Sequence, residues 1–160
     1  MRWKCRAAAI LILCVPLTGC KDRGVVRTAD PRRGSQLLSG FYGIEQNAWR
    51  WTAARFSVRL DTPAWASRIG AVLRLRFSIP DRLIRELGVI SVAASIGGLP
   101  LAPESYTQPG DFIYVREVPS HRLRSESVRV DFFLDKALAP NSSDRRELGL
   151  IVASIALQPR

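Results

Sequence analysis

Leu73-Arg74-Leu75-Arg76-Phe77-Ser78-Ile79 is the stretch that decides the fold class of this chain. Apolar residues stand at every second position, and Arg74, Arg76 and Ser78 fill the places between. A period of two is the signature of a β-strand with one face in a core and the other in water. Strands of parallel sheets are covered on both faces and lack this alternation, so the pattern predicts an antiparallel sheet.

The same reading extends outward in both directions. Phe56, Val58 and Leu60 alternate with Arg55, Ser57 and Arg59, and Ile90, Val92, Ala94 and Ile96 alternate with Ser91, Ala93 and Ser95. Val128, Val130, Phe132 and Leu134 alternate with Arg129, Asp131, Phe133 and Asp135. Leu148–Leu157 is apolar at nearly every position, which predicts a central strand. Gly97-Gly98 separates Val89–Ile96 from Leu99–Leu101 as a two-residue hairpin turn. Pro109-Gly110-Asp111 precedes a strand over Phe112–Arg116, and Pro140-Asn141-Ser142-Ser143 precedes the last one. The one helical candidate is Asp81–Leu87, after Pro80. Seven or eight strands over about 120 residues predict an all-β fold, a two-sheet antiparallel β-sandwich of jelly-roll, galactose-binding-like type. An eight-stranded lipocalin-like barrel is the alternative that the spacing leaves open.

Upstream of the alternating region the pattern stops. Lys21–Ser39 carries Lys21, Arg23, Arg27, Arg32 and Arg33 with Gly24, Pro31 and Gly34, and has no sustained apolar period. It reads as a basic tether. The domain is then expected over residues 40–158.

The N-terminus has a basic flank of Arg2, Lys4 and Arg6, then an apolar run, Ala7–Leu17. Its 11 residues fall short of the roughly 20 that a membrane-spanning helix needs, and it contains Pro16. Leu17-Thr18-Gly19-Cys20 resembles the bacterial lipobox, with small residues before a Cys. The resemblance implies that residues 1–19 are a signal peptide, removed on export. Cys20 then becomes the lipidated first residue, and residues 20–39 lie between lipid and domain. The mature chain would be a lipoprotein of the cell envelope, anchored on the periplasmic face of the outer membrane or, alternatively, in the inner membrane. Its three cysteines would then be spent: Cys5 and Cys14 are lost and Cys20 carries lipid. None is left for a disulfide, a thiolate metal site or a nucleophile.

The formal charge of +10 falls to +7 without residues 1–19, and most of the cations are Arg. An exported lipoprotein does not meet nucleic acid. Its basic surface suits anionic headgroups or acidic glycans near the anchor.

Two clusters hold the candidate site residues. In Glu45-Gln46-Asn47-Ala48-Trp49-Arg50-Trp51-Thr52, Trp49 and Trp51 share one face of a strand and Arg50 points away. The pair would serve either as a stacking platform for a sugar ring or as a closure of the sandwich end. Trp65, in the loop Thr62–Ala66, is a third aromatic candidate. Asp144-Arg145-Arg146-Glu147-Leu148-Gly149 would form an anion-binding rim, with Arg offering a planar fork. Otherwise it is an ionic corner that uses Glu45 or Arg50 as partner. Gly149 implies a close backbone approach, for instance beneath a Trp ring.

The pattern Gly40-Phe41-Tyr42-x-x-Glu45…Trp49-Arg50-Trp51-Thr52, with Asp144-x-Arg146-x-Leu148-Gly149-Leu150, resembles small jelly-roll domains of bacterial envelopes. Some of these are appended to membrane glycosyltransferases and some are free-standing lipoproteins. The resemblance implies first and last strands lying close together and an association with surface polysaccharide. It carries no catalytic residues.

An enzyme is not indicated. His121 is the single histidine, and no Gly-x-Ser-x-Gly or His-Glu-x-x-His motif is present. The acidic residues Glu45, Asp61, Glu104, Asp111, Glu117, Asp131 and Asp144 show no spacing that marks a glycosidase pair or a Ca²⁺ loop. No cofactor and no metal is expected. The first expectation is therefore a non-catalytic module that binds an envelope glycan or glycolipid. The second is a scaffold lipoprotein that binds an envelope protein, and the third is a carbohydrate-active hydrolase.

Overall fold

A computed structural model describes residues 24–160. The stretch read as a signal peptide, with Cys5 and Cys14, and the expected lipidation site Cys20 lie outside the described residues. No helix among the described residues is long and apolar enough to cross a membrane.

The alternating stretches become nine antiparallel strands. They are β1 (Val25–Arg27), β2 (Leu37–Glu45), β3 (Trp49–Asp61), β4 (Ala71–Ile79), β5 (Ile90–Ile96), β6 (Leu99–Tyr106), β7 (Gly110–Val118), β8 (Ser127–Leu134) and β9 (Ile151–Gln158). The bonded order is β6-β5-β8-β3-β9-β4-β7, with β1 added on β9 and β2 on β3. This is an all-β sandwich of jelly-roll type. The buried faces are the ones the alternation marks: Leu73, Leu75, Phe77 and Ile79 from β4, Val130 and Phe132 from β8, and Ile90, Val92 and Ile96 from β5. Phe56 stacks on Phe132 with ring centroids 4.9 Å apart. Across the layers, Phe77 meets Tyr106 edge to face at 5.2 Å.

Strand β3 belongs to both layers. Arg50 and Trp51 pair with β9, while Arg55–Asp61 pair with β8. The crossing is tied by residues just before β9. Gly149 N donates to Thr52 O at 2.7 Å, Thr52 N donates to Leu150 O at 2.9 Å, and Leu150 N donates to the buried Thr52 Oγ1 at 3.1 Å. A Cβ on Gly149 would stand 2.7 Å from Ala53 O, so the close approach is to backbone and not to a Trp ring. On the other side Gly40, at φ +73°, passes over β3 where a Cβ would lie 2.1 Å from Arg55 O.

Edge strands β6 and β7 form no ladder with each other, so the sheet is open and the barrel alternative is set aside. A clasp of side chains closes that seam. Tyr114 Oη donates to Ala102 O at 2.7 Å, and Arg116 donates to Ala102 O at 2.6 Å, Pro103 O at 3.0 Å and Glu104 Oε2 at 2.9 Å. The Arg116 guanidinium also lies over the Tyr114 ring at 4.1 Å.

Three expectations are corrected. The stretch read as a tether is folded from Val25 onward. Val26 is buried and pairs with Ile155, Thr28 Oγ1 donates to Val152 O at 2.6 Å, and residues 31–36 form a 3-10 turn capped by Asp30. Three residues are too few to show a period, and β1 exists only because β9 offers it an edge. The folded domain therefore includes residues 25–39 and does not begin at Gly40. The last strand begins at Ile151, since Leu148–Leu150 are given to the β3 crossing. The strand β9 is central, bonded by β4 on one side and by β1 and β3 on the other. The helix α2 (Asp81–Leu87) stands as read from the sequence, and a four-residue helix, α1 (Ala66–Ile69), precedes β4.

Candidate functional site

The outward face of the β1-β9-β4-β7 layer carries the best-formed depression. Its composition follows from register. Arg27 stands opposite Ser154, which stands opposite Arg76, which stands opposite Ile113. One row along, Val25, Ala156, Arg74 and Val115 align in the same way. The small residues Ala153, Ser154 and Ala156 leave the middle of the face low. Ala153 is the extra residue of a bulge, since Arg76 pairs with Ser154 and Phe77 with Val152. The result is a groove of about 840 Å³, walled by Ala29, Asp30 and Arg32 on one side and by the hairpin tip Asn47-Ala48 on another. A second compartment of about 650 Å³ adjoins it through Val25, Arg27, Asp30 and Arg32, and adds Arg33, Arg59 and Asp61.

The charges are unevenly partnered. Arg32 holds Asp30 with bonds of 3.1 and 3.2 Å, which keeps that carboxyl below its usual range. Arg33 reaches Asp61 at 3.6 Å. Arg74 has apolar or small neighbours on both flanking strands, and its Nε is buried without a hydrogen-bond partner. Arg76 lies exposed beside Ser154 and Ile113. Alternation places Arg74 and Arg76 on one face. Their gathering with Arg27 and the small β9 residues needs pairings between strands far apart in the chain, so no local signal shows it.

The residues singled out from the sequence fall elsewhere. Arg50 donates to Thr28 O at 2.7 Å and Tyr42 O at 2.6 Å, where β1 gives way to β3 along β9. Arg146 forks between Glu45 Oε1 at 2.8 Å and Asp144 Oδ2 at 2.8 Å, above the Tyr42 ring at 5.3 Å. The hydrogen bonds from Arg146 hold the Asp144 carboxyl at about 2, and the two carboxylates raise Arg146 in turn. Arg145 is exposed. Glu147 accepts from Ala54 N at 2.8 Å. Trp49 and Trp51 are half-buried and meet edge to face at 6.2 Å, so their ring planes do not form one flat platform. Trp65, half-buried at the start of α1, follows the far end of the 13-residue β3 and is remote from that pair. His121 is exposed on a 3-10 turn. Among the described residues, no three His, Cys, Asp or Glu side chains gather as a metal site would require.

No protein-family model and no curated protein matches the chain. Solved structures with a similar course of the backbone include several carbohydrate-binding modules. A CBM36 module in complex with calcium and xylotriose is 11% identical, with 84% of this chain and 98% of that one covered and a TM-score of 0.45. A mannan-recognising module, TmCBM27, is 12% identical, with 85% and 95% covered and a TM-score of 0.47. An acetyl xylan esterase from the rumen bacterium Butyrivibrio proteoclasticus is 13% identical, with 85% and 32% covered and a TM-score of 0.48.

Proposed function

We propose that this chain is a non-catalytic glycan-binding module, held at a bacterial membrane by lipid on Cys20. The groove on the outer face of β1, β9 and β4 is the observation that carries this reading. Its volume of about 840 Å³ is within the range of small-ligand sites. Arg74, Arg76, Asn47 and Ser154 offer directional donors, and Asn47 and Ser154 also accept, which suits sugar hydroxyls. No aromatic side chain among the described residues lines it, so binding here works through hydrogen bonds and charge and not through ring stacking. Asp30 is the one carboxylate among the described residues that line the groove and is taken by Arg32, which speaks against a two-carboxylate hydrolase.

The proposed anchor places the groove. Gly24 is four residues from Cys20, a span of at most about 15 Å when extended. The wall strand β1 follows immediately, so the ligand is drawn from a layer close to the membrane. A glycan array probed with the full chain tests the module: selective retention is expected, and it should weaken in Arg74→Ala/Arg76→Ala. Absence of binding by a folded chain would refute it. Mass spectrometry of the mature N-terminus tests the anchor, with a lipid-modified Cys20 as the expected first residue.

A further inference from the structure

Resting on the glycan-binding reading, we infer that the ligand is an acidic polysaccharide, whose repeated carboxylate or phosphate groups are taken by Arg74 and Arg76. Of the described arginines that line the two adjoining compartments, Arg32 is paired with Asp30 and Arg33 with Asp61, while Arg74 and Arg76 have no carboxylate opposite them on the neighbouring strands. Arg74 and Arg76 stand two residues apart on one face of β4, so their backbones are roughly 7 Å apart. Like charges at that spacing repel, and an ordinary solvent face would interleave carboxylates. Elsewhere in the molecule this is done: Arg129 sits 2.7 Å from Asp131, and Arg116 sits 2.9 Å from Glu104. Beside Arg74 and Arg76 the strand neighbours are instead Val115, Ile113, Ala156 and Ser154. Among the described residues no carboxylate stands opposite these guanidiniums on either flanking strand, and the Nε of Arg74 is withdrawn from water with its donor unused.

A ligand carboxylate or phosphate oxygen would satisfy both deficits, since guanidinium forks match planar and tetrahedral oxyanions. The continuity of the two compartments across Val25, Arg27, Asp30 and Arg32 fits a chain that carries several anionic groups better than one small anion. The neutral polar groups Asn47 and Ser154 lie between the charges and suit the uncharged hydroxyls of the same polymer.

The test measures binding of the full chain to polygalacturonate, to neutral xylan and mannan, and to phosphatidylglycerol vesicles. Polygalacturonate is expected to bind, and more weakly as salt rises from about 0.02 M to about 0.2 M, because screening shortens the reach of the arginines. Arg74→Ala/Arg76→Ala should lose about tenfold or more in affinity. Arg68→Ala/Arg124→Ala, which removes the same charge outside the groove, should lose little. Circular dichroism and thermal unfolding confirm that both variants fold. Equal binding of neutral and acidic polymers, with Arg74→Ala/Arg76→Ala unaffected, would overturn the charge inference and leave the glycan reading intact. Vesicle binding as tight as that of polygalacturonate, with the same dependence on Arg74 and Arg76, would overturn it in favour of an anionic membrane surface. A folded chain that retains no polysaccharide at all would overturn both.

Discussion

The arginines of the seams and the arginines of the groove are chemically the same and differ in how far they are used. At the seams, Arg50, Arg116 and Arg146 direct their donors at carbonyls and carboxylates of the chain itself. Each joins parts that the backbone ladder leaves unjoined: β1 and β2 beside β3, β6 with β7, and the β2–β3 hairpin with the approach to β9. In the groove, Arg74 and Arg76 stand among small and apolar neighbours. The first set acts on the fold, and its charge is neutralised or capped internally. The second set contributes little to the fold and keeps its charge for something outside. An arginine-rich composition is therefore uninformative by itself, and the partner of each guanidinium separates the two roles.

The comparison breaks most readily at Arg116. Arg116→Ala leaves Pro103 O and Glu104 without this donor, removes one of the two donors to Ala102 O and uncovers Tyr114, and it should lower unfolding free energy by about 2–3 kcal/mol. Urea denaturation against the parent chain measures this, and a loss near zero would erase the distinction between seam and groove. Arg50→Ala should cost about 1–2 kcal/mol, with Thr28 O and Tyr42 O losing their donor. Hydrogen exchange should then rise first in β1.

The Asp144–Arg146 corner sharpens the comparison through pH. The Asp144 carboxyl is held at about 2, below the ordinary carboxylate value near 3.9. A depressed value stabilises the folded state where the group is ionised in both states. The contribution is complete above about pH 4 and is lost as pH falls toward 2. Arg146→Ala should therefore flatten the acid limb of the stability curve between about pH 4 and 2, and a curve that keeps its slope would remove the corner from the seam class. The smallest effect is expected in the groove. Arg74→Ala and Arg76→Ala should each change stability by no more than about 0.5 kcal/mol, in either direction. A loss comparable to that of Arg116→Ala would show that the groove arginines are structural.

The strands were legible because a half-buried strand writes its burial into every second residue, as Leu73 to Ile79 does. What escaped was whatever depends on a distant partner. Val25-Val26-Arg27 carries no period of its own and becomes a strand only on the exposed edge of β9. The start of β9 was misplaced because Leu148-Gly149-Leu150 is apolar for a different reason, the tie to the β3 crossing. The Glu45–Arg146 pair is an exception: the two are 101 residues apart, yet the ionic corner with Glu45 as partner was one of the two readings of the Asp144–Gly149 cluster. The groove was hidden by its dependence on distant partners, since its floor combines β1, β9 and β4. Arg74 and Arg76 read as an ordinary solvent face until the smallness of Ala153, Ser154 and Ala156 beside them is seen.

Because β1 is both the first of the described strands and one wall of the groove, a pull on the N-terminal side of Gly24 reaches the described strands there before the others. Three paired residues and the buried Val26 carry that load before the long ladders of β3 and β4 feel it. Under tension β1 is the element to peel, and with it go Arg27 and the rim at Asp30. A chain tethered at Cys20 would thus loosen its grip on a ligand when strained and recover it when slack, a mechanical release set by the shortest strand in the molecule.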